Sequence, residues 1–199
     1  MIPADVRSLP MRGKFEAHVT VESGDLEALC TELGIGFIGI ELASGAHASQ
    51  PMTASHHEGE LATVVDEVNA LVAKIGGAGF MILRTKLEAA ASTEGVPLTA
   101  HDGPGYFEFH VKVRPAGREQ DLAERAASVG ARLSRNASKQ SGRFVTMRVY
   151  RVGRAEAEAK LEALLVALQG FDVTGVVSEF TVYDSRIDLD AGWLHDDGR

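Results

Sequence analysis

Disulfides are excluded first. The chain has one cysteine, Cys30, so no internal bridge can form, and a reducing cytoplasm is the expected setting. Long apolar runs are missing too. Nothing approaches the ~18 residues that a membrane-spanning helix needs, and residues 1–13 lack the apolar segment of a signal peptide. They are expected to form a flexible leader. Basic clusters are sparse and the net charge is −8, which argues against duplex nucleic acid and anionic membranes as partners. GxSxG, Walker, HExxH and CxxC motifs are absent. Gly34-Ile35-Gly36-Phe37-Ile38-Gly39 fits GxGxxG. It leaves a helix pattern and enters a strand pattern, the reverse of the dinucleotide-binding order.

What the chain does have is one short stretch used twice. Residues 15–21 read Phe-Glu-Ala-His-Val-Thr-Val and residues 107–113 read Phe-Glu-Phe-His-Val-Lys-Val, 92 positions apart. Both alternate strictly, with apolar side chains on one face and Glu, His and a third polar residue on the other. That is the pattern of a strand with one buried face. Around each copy the same order of elements is predicted. In the first half, strands fall at 14–22, 37–42, 50–57 and 80–88, and helices at 23–33 and 60–75. Ser23 or Asp25 caps the first helix and Gly34 ends it. Leu61, Val64, Val65, Val68, Leu71, Val72 and Ile75 keep helical spacing in the second, and Gly76-Gly77 closes it. In the second half, strands fall at 106–114, 131–138, 143–152 and 174–184, and helices at 121–129 and 154–169. Thr53 and Thr146, and Arg84 and Glu179, are read as further matched pairs.

The expected organisation is a leader (1–13), a first unit (14–88), a Gly/Pro-rich linker (89–105) and a second unit (106–184). A tail (185–199) carries the only Trp. Each unit's order, βαββαβ, resembles the ferredoxin-like unit, in which two helices cover one face of a four-stranded antiparallel sheet. Two in one chain resemble the duplicated ferredoxin-like proteins, including α+β barrels whose sheets face each other about a pseudo-twofold axis. The fold class implied is α+β.

Period-two reading then sorts the strand residues. The polar face of the first half collects Glu16, His18, Thr20, Thr53, Ser55, His57, Arg84, Lys86 and Glu88. The second half collects Glu108, His110, Lys112, Thr146, Arg148, Tyr150, Glu179, Thr181 and Tyr183. One reading makes these faces a ligand cleft between two sheets. His18 and His110 then act as paired acid and base, because imidazole titrates near neutral pH. Glu16, Thr20, Arg84, Lys86, Glu108, Lys112, Arg148, Tyr150, Glu179 and Tyr183 bind the ligand, and the cations suit an anionic, phosphorylated molecule. A second reading leaves the faces solvated on a non-catalytic interaction domain. A third uses His18, His57, His110 and a glutamate as ligands of a catalytic metal. His56-His57-Glu58 is read as a strand end with His56 on the core side and His57 on the open side. In the tail, Trp193 is read as a clasp across the units, and Asp184, Asp188 and Asp190 as turn caps, or as acids that bind a cation or close the cleft.

His18-Val19-Thr20 also resembles the His-x-Thr/Ser motif of two-histidine (2H) phosphoesterases, duplicated proteins with two such motifs. The resemblance implies phosphodiester hydrolysis, with His18 as acid/base and Thr20 as phosphate ligand. The second copy, His110-Val111-Lys112, departs by carrying Lys at the third place. Cofactor, reaction and oligomeric state are not specified by the sequence.

Overall fold

The computed structural model describes residues 1–42, 45, 47–136 and 142–193. The turns predicted at 43–49 and 140–142, and the end of the strand predicted at 131–138, lie partly outside them. In chain order the elements are α1 (Ala4–Arg7), β1 (Arg12–Val21), α2 (Leu26–Leu33), β2 (Gly36–Leu42), β3 (Ser49–Glu60), α3 (Leu61–Gly77) and β4 (Ile82–Ala90). There follow β5 (Tyr106–Arg114), α4 (Glu119–Ser128), β6 (Arg132–Asn136), β7 (Arg143–Tyr150), α5 (Arg154–Ala167), β8 (Asp172–Asp184) and a 3₁₀ turn, Ile187–Asp190. This is an α+β protein. Among the described residues eight strands close into one barrel in the order β1-β3-β2-β6-β7-β5-β8-β4, every neighbouring pair antiparallel. Residues 12–90 contribute the run β4-β1-β3-β2 and residues 106–184 the run β8-β5-β7-β6. In each run the first and third strands are central, which is the ferredoxin-like order. The runs join along β2–β6 and β4–β8.

Local chemistry explains the helices. The Asp25 carboxylate accepts the Ala28 N–H and so caps α2, and Gly34 ends it at φ 69°, a left-handed conformation that glycine adopts without penalty. α3 does not stop before Gly76-Gly77 but runs through both to Gly77. Its buried stripe ends at Ile75, so packing upstream carries the last turn over residues of low helix propensity. The outward faces of β1 (Phe15, Ala17, Val19, Val21) and β5 (Phe107, Phe109, Val111, Val113) form one buried apolar cluster with the inner stripes of the four longer helices.

Two segments differ from expectation. The residues read as a flexible leader are docked: Ile2, Val6 and Met11 are buried, and the Ile2 N–H donates to Asn69 Oδ1 on α3. The segment after β4, read as a linker, buries Ala91 and Val96. Its Pro97 carbonyl accepts the Arg154 N–H at the start of α5.

Candidate functional site

With the apolar faces turned to the helices, the other faces of the strands line a cavity of about 250 Å3. Ile38, Ile40 and Leu42 from β2, with Met52, Phe144, Val177 and Trp193, make an apolar wall. Glu16, His18, Thr20, Arg84, Lys86, Glu88, Glu108, His110, Thr146, Arg148, Glu179 and Asp190 make a polar one. The faces are therefore not solvated surface, since Arg84, Lys86, Glu88, Glu108 and Thr146 are each at most 7% exposed. That removes the basis of the interaction-domain reading.

Of the twelve residues predicted for the site, nine line this cavity: Glu16, His18, Thr20, Arg84, Lys86, Glu108, His110, Arg148 and Glu179. Three are placed elsewhere. Lys112 has the expected parity but is exposed, opposite Gly175 near the end of β5. Tyr150 stacks obliquely on Tyr106, ring centres 5.0 Å apart. Tyr183 is turned outward by an irregularity in β8. Thr181 pairs with Glu88 but Tyr183 pairs with Leu87, so the strand carries an extra residue there, and a bulge flips the alternation beyond it. Asp184, opposite Lys86, takes the inward place that unbroken alternation assigned to Tyr183.

β3 is inverted relative to the sequence reading. Phe15 pairs with His57, Glu16 with His56 and Ala17 with Ser55. Ser55 and His57 thus share the face of the outward Phe15 and Ala17, while Met52 lines the cavity. Thr53 follows Ser55's parity and accepts the Val19 N–H on its Oγ1. Thr146 instead bonds His110, so the two threonines are not equivalent. Nor are Arg84 and Glu179. Arg84 lies opposite Thr20, and Glu179 opposite Glu108, as Glu88 lies opposite Glu16.

The cations are engaged within the protein. Arg84 meets Asp184 at 2.5 Å and Asp190 at 2.9 Å. Lys86 meets Glu88 at 2.6 Å and also contacts Glu108. Arg148 meets Glu108 at 3.2 Å and Asp190 at 2.6 Å. Tyr106 donates to Asp184 Oδ2 at 2.7 Å, and Gln50 to Asp190 Oδ1 at 2.8 Å. Gln50 and Tyr106 were not read into the cleft from the sequence, Glu88 was placed on its polar face without a ligand role, and Asp184 and Asp190 were read as turn caps or as acids that bind a cation or close the cleft. Asp190 comes from the tail, more than 100 positions from Gln50 and Arg84, a separation over which no local pattern operates. Glu88 carried a signal, the correct parity opposite Glu16. Trp193 Nε1 donates to the Leu133 carbonyl on β6, which seats the tail.

The two histidines are shifted in opposite directions. His18 Nδ1–H donates to the Thr53 carbonyl at 3.0 Å, and Nε2 stands 3.3 Å from Glu88 and 3.7 Å from Glu16. Burial disfavours its imidazolium, but the hydrogen bond and charge of Glu88, with Glu16, outweigh that and hold its pKa above the usual value. His110 bonds Thr146 Oγ1 through Nδ1 at 3.0 Å, with Nε2 3.8 Å from both Glu108 and Glu179. Burial, with Lys86 and Arg148 nearby, keeps its pKa below the usual value against the pull of Glu108 and Glu88. Glu88 is itself held well below the usual range: burial opposes its ionisation, but Lys86 and His18 override it. Glu179 goes the other way. Burial, followed by repulsion from Glu88 and Glu108, pushes it up to about 8, so at neutral pH it is a carboxylic acid and not a carboxylate. Among the described residues no group of three His, Cys, Asp or Glu side chains is disposed to hold a metal ion. His57, a ligand in the metal reading, lies on the opposite side of β3 from the cavity.

No family model and no curated protein matches this chain. Among solved structures it is similar to the ligand-free regulatory subunit of aspartate kinase from Thermus thermophilus, at 16% identity, over 79% of this chain and 93% of that one, with a TM-score of 0.33. It is also similar to a mutant chlorite dismutase from Candidatus Nitrospira defluvii, at 11% identity, over 85% and 91%, with a TM-score of 0.30. A third is a dye-decolorizing protein from V. cholerae, at 11% identity, over 92% and 98%, with a TM-score of 0.27. None of the described helices is long and apolar enough to cross a membrane.

Proposed function

We propose that residues 14–88 and 106–184 are two copies of one ferredoxin-like unit whose sheets face each other as the barrel, and that the barrel is an acid–base site for a small, largely apolar molecule bearing one polar group. The observation that carries this is the pairing, in one cavity, of His18, shifted toward protonation, and His110, shifted away from it, across from an apolar wall. In the tautomer whose Nδ1–H donates to Thr146, His110 presents the lone pair of Nε2 as a general base. His18, whose imidazolium Glu88 favours, and Glu179, whose carboxyl burial keeps protonated up to about pH 8, supply protons. Acid and base coexisting near pH 7 is the condition for concerted proton transfer.

The ion pairs favour a ligand without net charge. Arg84, Lys86 and Arg148 each already meet two carboxylates. A phosphorylated or otherwise anionic ligand would have to displace those contacts, at the cost of leaving buried carboxylates unpaired. A neutral ring or short chain with a carbonyl or hydroxyl fits both walls, and enolisation is the reaction class that such a pair performs. Phosphoester hydrolysis, suggested by the His18-Val19-Thr20 resemblance, lacks a Thr or Ser at the matching place of the second copy, His110-Val111-Lys112, and among the described residues the cavity cations Arg84, Lys86 and Arg148 are all engaged.

The test has two arms. The neutral fluorophore 1-N-phenylnaphthylamine is expected to bind saturably at one site per chain, and Ile40→Trp to abolish binding by filling the apolar wall. Protein in deuterium oxide is then mixed with 2-tetralone, a neutral two-ring ketone with exchangeable α-protons, and exchange is followed by NMR. The protein is expected to speed exchange, and His110→Gln to remove roughly 10²-fold to 10⁴-fold of that acceleration. Saturable binding without faster exchange reduces the site to a binding pocket; no saturable binding sinks the cavity reading altogether.

A further inference from the structure

A second constellation lies outside the barrel, on the helix-facing side of β3. Ser55 and His57 are two positions apart on one strand, so they share a face. Ser55 Oγ stands 3.0 Å from His57 Nε2, and His57 Nδ1 stands 2.8 Å from Glu67 Oε2 on α3. Glu67 at Nδ1 selects the tautomer with its proton on Nδ1, because a carboxylate only accepts. Nε2 then carries the lone pair and the Ser55 hydroxyl donates to it. Nucleophile, base and orienting acid thus stand in hydrogen-bonded sequence.

These three residues line a pocket of about 540 Å3 between α2, β2, β3 and α3. Glu67, Ala70, Leu71 and Lys74 reach it as one stripe of α3 at helical spacing. Leu33, Ile35 and Leu71 give it apolar walls, and Lys74 a positive charge. Ser55 is only 4% exposed, so its oxygen is shielded from bulk water. Its alternative acceptor, the Ala17 carbonyl, is the more distant at 3.3 Å.

We propose that Ser55, His57 and Glu67 form a nucleophilic triad that cleaves small carboxylic esters, a site separate from the barrel cavity. Ser55 Oγ attacks the ester carbonyl carbon while its proton passes to His57 Nε2. Lys74 offsets the negative charge on the carbonyl oxygen of the tetrahedral adduct. The adduct collapses by breaking the bond to the leaving alcohol's oxygen, which takes the proton from His57. Water, deprotonated by the same nitrogen, then attacks the acyl-serine, releases the carboxylic acid and returns the proton to Ser55. Glu67 stabilises the imidazolium that forms in each half. No electrons are transferred and no group beyond water is consumed.

The experiment is labelling with a small alkyl fluorophosphonate, which phosphonylates an activated serine with loss of fluoride, read by peptide mass spectrometry. One label per chain is expected, on Ser55. His57→Gln is expected to slow labelling by roughly 10²-fold to 10⁴-fold, Glu67→Gln by a smaller factor, and Ser55→Ala to abolish it. Hydrolysis of p-nitrophenyl acetate should fall in the same order. Binding of 1-N-phenylnaphthylamine in the barrel should survive all three changes, which separates loss of this site from loss of fold. No label at Ser55, or a Ser55 label whose rate His57→Gln leaves unchanged, overturns the triad.

Discussion

His18 on β1 and His110 on β5 stand at matching places in their strands, each two residues from a glutamate on the same face. Glu16 faces Glu88 and Glu108 faces Glu179 across the neighbouring strand. Two differences separate the settings: the Nδ1 partner, which is the Thr53 carbonyl for His18 and Thr146 Oγ1 for His110, and the residue opposite on the neighbouring strand. Opposite His18 is Lys86, and opposite His110 is Val177. Lys86 reaches both Glu88 and Glu108 and keeps them ionised. Glu179 lies further from that cation and among those anions, and it holds its proton. Glu88 then raises the pKa of His18 against burial, while burial, with the cations near it, lowers that of His110. The difference teaches that burial and an asymmetrically placed lysine, acting through the carboxylates it holds, can shift paired groups in opposite directions.

The largest effect expected from breaking this comparison is at Glu108, which holds both Lys86 and Arg148. Glu108→Ala leaves two buried cations undercompensated and should cost about 3–5 kcal/mol in urea unfolding. Restored stability in the double variant Glu108→Ala/Lys86→Met would locate the loss in the stranded lysine. Next comes Glu179. Its folded pKa of about 8 lies above the usual 4.5, so the folded state holds a proton that the unfolded chain has lost. That contribution is complete below about pH 4.5 and is lost as pH rises through 8. Glu179→Gln should therefore gain in Tm over the parent at pH 8 relative to pH 5, by ~2–4 °C for each kcal/mol at this chain length. An unchanged difference between the two pH values would place Glu179 in the ordinary range. The smallest effect sharpens the comparison instead of breaking it. Val177→Lys gives the second half its missing cation, and a carboxyl-carbon NMR titration should show the Glu179 pKa lowered. No movement would mean that burial alone, and not the absent cation, sets it.

The sequence discloses some of this arrangement through alternation. On β1 and β5 apolar and polar residues alternate without exception, and Glu16, His18, Glu108 and His110 fall where expected. On β3 the rule fails because neither face is uniform. Met52 is apolar yet faces the cavity, since the cavity has an apolar wall; Ser55 and His57 are polar yet face outward, since they bond Glu67 and each other. On β8 the bulge before Tyr183 leaves no mark in residue type, so a strictly two-residue period carries the wrong side chain inward. Asp190 is legible only as a tail acid that could close the cleft, and its partners are not. It completes ion pairs with Arg84 and Arg148 that exist only after the chain has closed the barrel.

The seating of Trp193 has an optical consequence. It is the sole indole in the chain, it is 6% exposed, it lines the cavity, and its N–H is fixed to the Leu133 carbonyl. Its emission therefore reports one place without any introduced label. A molecule entering the barrel changes the indole's surroundings, and a tail leaving its seat releases the indole to water. In refolding, strand formation followed by circular dichroism and tail docking followed by fluorescence become two clocks on one unmodified molecule.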